Sequence, residues 1–264
     1  MRVRVSDVCK EFVTKHGRVQ ALAGVSFEVE EQEFFGIIGP NGCGKTTLLH
    51  IIAGLAPPTS GRVEFLGEQR AESRVAMVFQ QHALLPWRVV ERNVGLAPEL
   101  RGKPEPLYRR ITGFFMRLTR LKDVDALYPH QLSGGMQHKA AIARALAAYP
   151  EVLLMDEPFG NLDAMARMLL REEIQALWER ERKTVLFVTH SLEEAVLLCD
   201  RIAVLSARPG SVKAVLRVGL PRPRTHESLT HPAYAETMNR LWELLREDVE
   251  RAMREPPPRQ ARHR

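Results

Sequence analysis

The sequence predicts an α/β fold built on a mostly parallel β-sheet. Residues 151–157, 184–190 and 201–205 contain continuous apolar runs, which are typical of buried parallel strands. An amphipathic helical segment at 164–181 separates the first two runs. A fourth apolar run at 34–38 leads into a glycine-rich loop and then into a helical segment. Since strands that alternate with helices form parallel sheets with ligands at their carboxyl ends, we expect the functional residues where these strands end.

The glycine-rich loop after residue 38 predicts a phosphate-binding site. It fits the pattern G-x-x-x-x-G-K-[ST] between a strand and a helix, and its residues are Gly39, Pro40, Asn41, Gly42, Cys43, Gly44, Lys45, Thr46 and Thr47. Glycines let backbone N–H groups face a phosphate, and the helix directs its positive end at the same place. Lys45 would reach the β- and γ-phosphates, the Thr46 hydroxyl would be a ligand of Mg²⁺, and Thr47 is the next donor. The alternative is an ordinary glycine-rich turn before a buried helix.

Two carboxylates, Asp156 and Glu157, end the apolar run at 151–157. Two such groups at a buried strand end need a cation, because burial disfavours the charged form. We therefore expect Asp156 to contact Mg²⁺, directly or through water, and Glu157 to be the general base for the attacking water. Ser191 and Glu194 form a capping-box pattern that would start the next helix, which places His190 at the carboxyl end of its strand.

The amino-terminal third alternates apolar and polar residues. Residues 2–8 and 21–30 are predicted strands with a turn near 15–17, and two shorter strands are expected at 62–66 and 74–79. Phe12 would then fall between the first two strands. An aromatic ring there could stack on an adenine, and packing in the core is the alternative.

Prolines separate short helical pieces, such as 107–121, throughout residues 82–131, which predicts an inserted helical lobe. This segment closes on Leu132-Ser133-Gly134-Gly135-Met136-Gln137, before an alanine-rich helix at 139–148. Beyond Arg208 the pattern weakens until an amphipathic helix at 233–254.

The composition is that of a globular protein. The 264 residues, 45% of them hydrophobic and 27% charged, suffice for one large domain or two lobes. No stretch approaches the roughly 18 consecutive apolar residues of a spanning helix, and the amino terminus has the pattern of a strand, so we expect a cytoplasmic protein without a secretory signal. Cys9, Cys43 and Cys199 lack paired spacing, which indicates reduced thiols and neither disulfides nor a zinc site.

The net charge of +6 raises the possibility of nucleic-acid binding. Much of the excess, however, comes from arginines among prolines at 221–224 and 256–264. We interpret both stretches as solvated, disordered segments. No nucleic-acid partner is therefore expected.

Together these motifs resemble the nucleotide-binding subunit of an ABC transporter. The phosphate loop alone is found in many NTPases, but 132–137 resembles the signature motif of this family and precedes the Asp156-Glu157 strand. The resemblance covers about residues 1–225 and implies a P-loop NTPase (RecA-like) fold. Its core and an antiparallel β subdomain would comprise 1–81 and 138–225, and the inserted α-helical lobe 82–137. Residues 226–264 would add an amphipathic helix and a basic tail.

The resemblance also implies roles for individual residues. Gln80 matches the glutamine between the two lobes, which senses Mg²⁺ and the γ-phosphate. Asn161-Leu162-Asp163 matches the D-loop, with Asp163 near the nucleotide, and His190 matches the switch histidine. Phe12 matches the adenine-stacking aromatic, which is usually tyrosine in the family.

The family further implies a head-to-tail homodimer with ATP at its interface. MgATP held by Lys45, Thr46 and Asp156 of one subunit would be closed over by the signature residues of the other, Ser133, Gly134 and Gly135. Hydrolysis would rest on Glu157, His190, Gln80 and Lys45, and Mg²⁺ would be held by Thr46, Gln80 and Asp156.

Residues 78–87 and 204–210 resemble more narrowly the importers of nitrate, sulfonate, taurine and bicarbonate. Such an assembly implies two membrane permease subunits, an extracytoplasmic solute-binding protein, and a position at the cytoplasmic face of the membrane. Closure of the dimer would be transmitted to the permease through 80–87, which includes Trp87. The chain departs from this branch at His138-Lys139, where Gln-Arg is usual, and at Ser191 and Asn161.

Two other functions are compatible with the nucleotide site. A soluble ABC-type ATPase could act on DNA or the ribosome, but the long coiled coils or tandem ATPase halves of such proteins are not found in this sequence. A non-hydrolysing, ATP-gated module would have no need for Asp156, Glu157 and His190 together.

Overall fold

The computed structural model describes residues 1–15, 17–68, 73–160 and 162–254. The strands are β1 (Arg2–Thr14), β2 (Gly17–Val29), β3 (Phe34–Ile38), β4 (Ser60–Leu66), β5 (Ser73–Val78), β6 (Pro150–Asp156), β7 (Thr184–Val188), β8 (Arg201–Leu205) and β9 (Val212–Arg217). The α-helices are α1 (Lys45–Ile52), α2 (Val90–Val94), α3 (Leu96–Leu100), α4 (Glu105–Leu118), α5 (Gly134–Ala147), α6 (Ala164–Glu181), α7 (Leu192–Leu198) and α8 (Pro232–Arg254).

The larger sheet confirms the predicted α/β class. Its six strands run in the order β5-β6-β7-β3-β8-β9, and the first five are mutually parallel. Because β3 lies between β7 and β8, the loop after β3 opens at the same edge as the carboxyl ends of β6 and β7. Strand β9, which pairs antiparallel with β8, was not predicted, because three of its six residues are exposed, two are half-buried and its apolar run is short.

The smaller sheet is antiparallel, with the order β2-β1-β4. Strand β1 continues to Thr14, beyond the predicted end at residue 8, so Phe12 lies within it, opposite Val19. The prediction that Phe12 falls between two strands was therefore wrong. Register shifts between Val5 and Glu11 interrupt the alternation on which the prediction relied, and Asp7 has a φ of 50°.

Alternate residues of the central strand face two separate hydrophobic cores. Phe35 and Ile37 pack with the smaller sheet and α1, whereas Phe34 and Ile38 pack with the helices on the opposite face. This is the period-two pattern of a strand that is buried on both sides. The larger sheet thus forms the middle layer of the molecule and fixes the position of the loop at 39–44.

The helical lobe packs on α5, whose buried alanines allow close approach of α2 and α4. Helix α6 has its predicted bounds, and α8 begins one residue before its predicted start. Helix α4 ends at Leu118, three residues before the predicted end. In the described ranges, no helix combines the length and the apolar character needed to cross a membrane.

The segment 221–224 is ordered, which contradicts its interpretation as a solvated stretch. Arg222 bonds the carboxylate of Asp200 at 2.9 Å, and the Arg224 side chain is only 4% exposed. Arg224 donates to the carbonyl oxygens of Val196 and Cys199 at the carboxyl end of α7. Composition could not reveal this, because arginines that cap a helix end and arginines in a tail give the same local sequence. The tail at 256–264 lies outside the described residues.

Candidate active site

The phosphate loop connects β3 to α1 and wraps around the ammonium group of Lys45. Lys45 is the first residue of α1 and is buried, and its Nζ donates to the carbonyl oxygens of Gly39 at 2.9 Å and Pro40 at 3.1 Å. Gly44 precedes the helix with a φ of 100°, and a Cβ there would lie 2.7 Å from Leu22. Only glycine fits this position, which explains the tight turn.

The remaining loop residues differ in exposure. Asn41, Gly42 and Thr46 are exposed, Thr47 is half-buried, and Cys43 is buried. Burial raises the pKa of the Cys43 thiol, so this side chain is a neutral packing group beneath the loop.

Asp156 ends β6 directly beside the start of α1. The hydroxyl of Thr46 donates to Asp156 Oδ1 at 3.2 Å, as expected if both side chains serve one ion. The Asp156 side chain is 2% exposed, and burial raises its pKa. A divalent cation would stabilise the charged carboxylate and offset this cost, so the pair fits Mg²⁺.

Gln80 and His190, both assigned by resemblance, meet Glu157 at the ends of β5, β6 and β7. Glu157 Oε2 accepts a hydrogen bond from Gln80 Nε2 at 3.3 Å and lies 3.1 Å from His190 Nδ1. Glu157 has a φ of 44°, in the left-handed region that non-glycine residues rarely adopt. Its backbone N–H donates to the carbonyl of Val188 at 2.9 Å, which holds this turn against β7. Strain of this kind is concentrated at functional sites.

The backbone around His190 is fixed by a hydrogen bond between Thr189 and Glu194 that the sequence did not predict. The Thr189 hydroxyl donates to Glu194 Oε2 at 2.5 Å and accepts from the N–H of Ser191 at 3.0 Å. Ser191 caps α7 as predicted, since its hydroxyl accepts from the Glu194 N–H at 3.3 Å. The Glu194 carboxylate, however, bonds Thr189 and does not complete the capping box. Burial raises the pKa of Glu194. The sequence signal was a threonine five residues before a glutamate, which is too common to be informative.

The signature residues lie on the surface at the start of α5. Ser133 and Gly134 are exposed and Gly135 is half-buried, and the Ser133 hydroxyl accepts from the N–H of Met136 at 3.3 Å. Among the described hydrogen bonds, none joins these residues to the phosphate loop of the same chain. Within the described part of the chain, the two motifs of one subunit are therefore not directly bonded to each other.

Asp163 and Phe12 are also exposed. Asp163 caps α6 by accepting from the N–H of Ala166 at 3.0 Å, while Asn161 lies outside the described residues. Phe12 is 42% exposed, which excludes the core-packing alternative, and the Lys10 ammonium lies 5.2 Å from its ring centre. Lys10 pairs with Leu22, whose side chain lies against Gly44, so Phe12 is two residues along β1 from a residue pair that contacts the loop.

The loop that carries Trp87 is held by a buried asparagine that sequence reasoning missed. Asn93 Oδ1 accepts from the Leu85 N–H at 2.7 Å, and Asn93 Nδ2 donates to the carbonyls of Leu85 and Arg88 at 3.1 and 2.9 Å. Arg88 is in turn paired with both carboxylate oxygens of Glu99 at 2.9 Å. The Trp87 side chain is 71% exposed on this rigid loop. An exposed tryptophan on a fixed backbone is typical of a contact surface.

A strand, glycine-rich loop and helix, a buried aspartate and an adjacent glutamate define a P-loop ATPase. Comparison with known proteins narrows this class. The family model described as ABC transporter matches residues 22–160. An uncharacterised ABC transporter ATP-binding protein of Methanocaldococcus jannaschii is 43% identical over 256 residues, which cover 96% of this chain and 95% of that protein. The aliphatic sulfonates import ATP-binding protein SsuB of Bacillus cereus is 40% identical over 230 residues, covering 86% of this chain and 90% of that protein.

A solved structure is similar over most of the fold. It is a dimeric ATP-binding cassette in a post-hydrolysis state bound to ADP and Pi, with a TM-score of 0.72 and 31% identity over 81% of this chain and 98% of that chain. The present chain therefore belongs to the ABC transporter family. It is an ATP-binding subunit of that family and an ATPase.

Proposed function

We propose that this chain energises the uptake of a small anionic solute, such as a sulfonate, taurine or nitrate, by an ABC importer at the cytoplasmic face of the membrane. The observation that carries this proposal is its similarity, over most of both chains, to an aliphatic sulfonates import ATP-binding protein. The resemblance of 78–87 and 204–210 to the same importers supports it.

Each part of MgATP has a matching group in the site. Lys45 would exchange its bonds to the carbonyls of Gly39 and Pro40 for the β- and γ-phosphates, and the N–H groups of the loop would bind the same phosphates. Thr46 and Asp156 would hold Mg²⁺, with Gln80 as a further ligand. Bound MgATP supplies the phosphoanhydride bond and the cation that neutralises its charge. Phe12 would cover the adenine ring.

Glu157 is the proposed general base. Its Oε2 would take the proton of the attacking water, and Gln80 and His190 already lie within hydrogen-bond reach of that oxygen. His190 would hold the γ-phosphate, and Thr189 and Glu194 fix the backbone that presents it.

Two copies of this chain are needed for a complete site. No described hydrogen bond connects Ser133, Gly134 and Gly135 to the phosphate loop of their own chain, yet they open a 14-residue helix whose positive end suits a phosphate. In a head-to-tail homodimer they would close over the nucleotide of the partner, with Asp163 beside them. The dimeric arrangement of the similar cassette supports this assembly.

The permease would bind at the loop around Trp87. Its side chain is exposed, whereas the backbone on either side is fixed by Asn93 and by the pair of Arg88 with Glu99. A rigid aromatic anchor of this type suits a short helix from a membrane subunit.

The proposal is tested by affinity purification of the tagged chain from gently solubilised membranes of its native host, followed by mass spectrometry. We expect a permease with several spanning helices, and we expect Trp87→Ala to lose it while Trp242→Ala, an exposed tryptophan on α8, keeps it. Recovery of ribosomal or DNA-bound proteins alone would contradict the importer assignment and favour the soluble ATPase. A phosphate-release assay on the purified chain distinguishes the importer subunit and the soluble ATPase, which both hydrolyse ATP, from a non-hydrolysing module.

A further inference from the structure

The loop that follows Gln80 is bonded directly to the signature helix α5. His82 Nε2 lies 2.9 Å from His138 Nδ1, and the two rings meet edge to face with their centres 3.9 Å apart. Arg144, also on α5, donates to the carbonyl oxygens of His82 at 2.9 Å and Ala83 at 2.6 Å. The Gln80 loop and α5 are therefore held together by side chains as well as by packing.

His138 also contacts the signature motif itself. Its Nδ1 lies 3.1 Å from the carbonyl oxygen of Gly134, one helical turn earlier. A carbonyl oxygen only accepts hydrogen bonds, so the proton is assigned to Nδ1 of His138, which then faces both Gly134 O and the lone pair of His82 Nε2. One atom of a fully buried ring thus joins the signature motif to the Gln80 loop.

The surroundings keep both rings neutral. Burial lowers the pKa of His138 to about 4 and also lowers the pKa of His82. In the described ranges, the groups bonded to the pair or to its backbone are Gly134 and Arg144 on α5 and the carbonyls of 82–83, and none of them is acidic. Within the described part of the chain, Nε2 of His138 has no hydrogen-bond partner. A buried nitrogen without a partner lowers the stability of the fold, and an apolar side chain used only for packing would avoid this loss.

We propose that His138 is a positioning residue that couples the Gln80 loop to the signature motif of the same subunit. This inference rests on the proposed head-to-tail dimer, in which Gln80 faces one ATP site and Gly134 faces the other. When Gln80 moves to its ligand, His82 is displaced, and the rigid imidazole of His138 transmits this displacement to Gly134. The two ATP sites of the dimer are thereby coupled, and His82 and His138 act as one unit.

The test is a double-mutant cycle on steady-state ATP hydrolysis. His82→Phe and His138→Phe keep a ring in each position but remove the bond, and His138→Asn returns a donor close to the position of Nδ1. We expect both phenylalanine variants to lower kcat by about fivefold and to bring the Hill coefficient for ATP toward one, because the two sites of the dimer would then act independently. The double variant should lose no more than either single variant.

A purely structural role would give a different result. We expect the affinity of each variant for a fluorescent ATP analogue, measured in the Glu157→Gln background, to stay within about twofold of the parent, and His138→Asn to recover kcat and the Hill coefficient. His226→Phe, at an exposed histidine before α8, is the matched control. The inference would be overturned if the losses of kcat were additive in the double variant or if the Hill coefficient were unchanged in both single variants. It would also be overturned if His138→Asn failed to recover activity. Wild-type protein that neither hydrolyses ATP nor dimerises would instead overturn the proposed function, and this inference with it.

Discussion

Arg224 should be among the most important stabilising side chains of the carboxyl-terminal third. Its guanidinium donates to three carbonyl oxygens, those of Val196 at 2.9 Å, Cys199 at 2.7 Å and Leu220 at 3.1 Å. It therefore ties the end of α7 to the segment that follows β9. We expect Arg224→Met, which keeps most of the apolar stem and removes all three donors, to destabilise the fold.

The magnitude follows from two opposing effects. Hydrogen bonds that involve a charged group contribute about 1.5–3 kcal/mol each, but one guanidinium must be taken out of water to make all three. That cost is considerable here, because burial lowers the pKa of Arg224 to about 10. We expect a net loss of about 3 kcal/mol in the free energy of unfolding, which corresponds to a Tm lower by roughly 6–12 °C.

The assay is thermal and urea unfolding followed by circular dichroism, with ATP hydrolysis measured in parallel. Arg240→Met removes an exposed arginine from α8 and should shift the Tm by less than about 2 °C. Arg224→Lys should fall between wild type and Arg224→Met, because one ammonium cannot reach three carbonyls as a planar fork does. If the free energy of unfolding of Arg224→Met lies within about 1 kcal/mol of the wild-type value, the carbonyls of α7 are satisfied without this side chain. That result would contradict the stabilising role assigned to Arg224.

The remaining predictions concern the active site. Glu157→Gln should bind ATP, hydrolyse it at least about a hundredfold more slowly than wild type and accumulate as a dimer on size exclusion. Lys45→Ala should instead lose nucleotide binding or hydrolysis. Wild-type turnover by either variant would contradict the role assigned to the substituted residue. Glu194→Gln should become more stable relative to wild type as the pH rises. Burial raises the folded-state pKa of Glu194 above 4.5, so its contribution to stability is complete below pH 4.5 and is lost as the pH passes through the raised value. Melting curves of both proteins from pH 5 to pH 8 measure this difference in stability. If the Tm of the wild type rises relative to that of the variant as the pH rises, the prediction is contradicted.

The parts of the fold that the sequence predicted are those with a repeated signal. The apolar runs of β3, β6, β7 and β8 are buried on both faces, and their bounds were predicted within one or two residues. Helix α6 was also predicted, and its buried residues Leu170, Ile174 and Trp178 recur at helical spacing. Strand β1 was found only in part because its register shifts near Asp7 break the alternation. Strand β9 was missed because only one of its residues is buried.

The candidate site also contains residues that could be predicted from the sequence and residues that could not. The phosphate loop and Asp156 could be predicted because their spacing and residue types are dictated by the chemistry of phosphate and Mg²⁺. Asn93 and Arg224 could not, since each acts through hydrogen bonds to backbone groups that are distant or irregular in sequence. The bond of the Glu194 carboxylate to the Thr189 hydroxyl could not either, since it joins two side chains at an irregular spacing. Such contacts depend on how elements pack, and no local pattern records them. Gln80 and His190 were assigned only through the family resemblance.

The hydrogen bonds within the site suit a link between nucleotide binding and the proposed dimerisation. Lys45 bonds two carbonyls of its own loop, and Gln80 and His190 both face Glu157. Each group that is proposed to meet the γ-phosphate therefore already has a partner in the subunit, so binding exchanges hydrogen bonds and gains less than their full strength. The same exchange would free Oε2 of Glu157 for a water molecule. In the proposed dimer, the exposed signature residues at the start of α5 would supply to the nucleotide of the second subunit the donors that make this exchange favourable. Catalysis and assembly would then be two consequences of one rearrangement of Gln80 and His190.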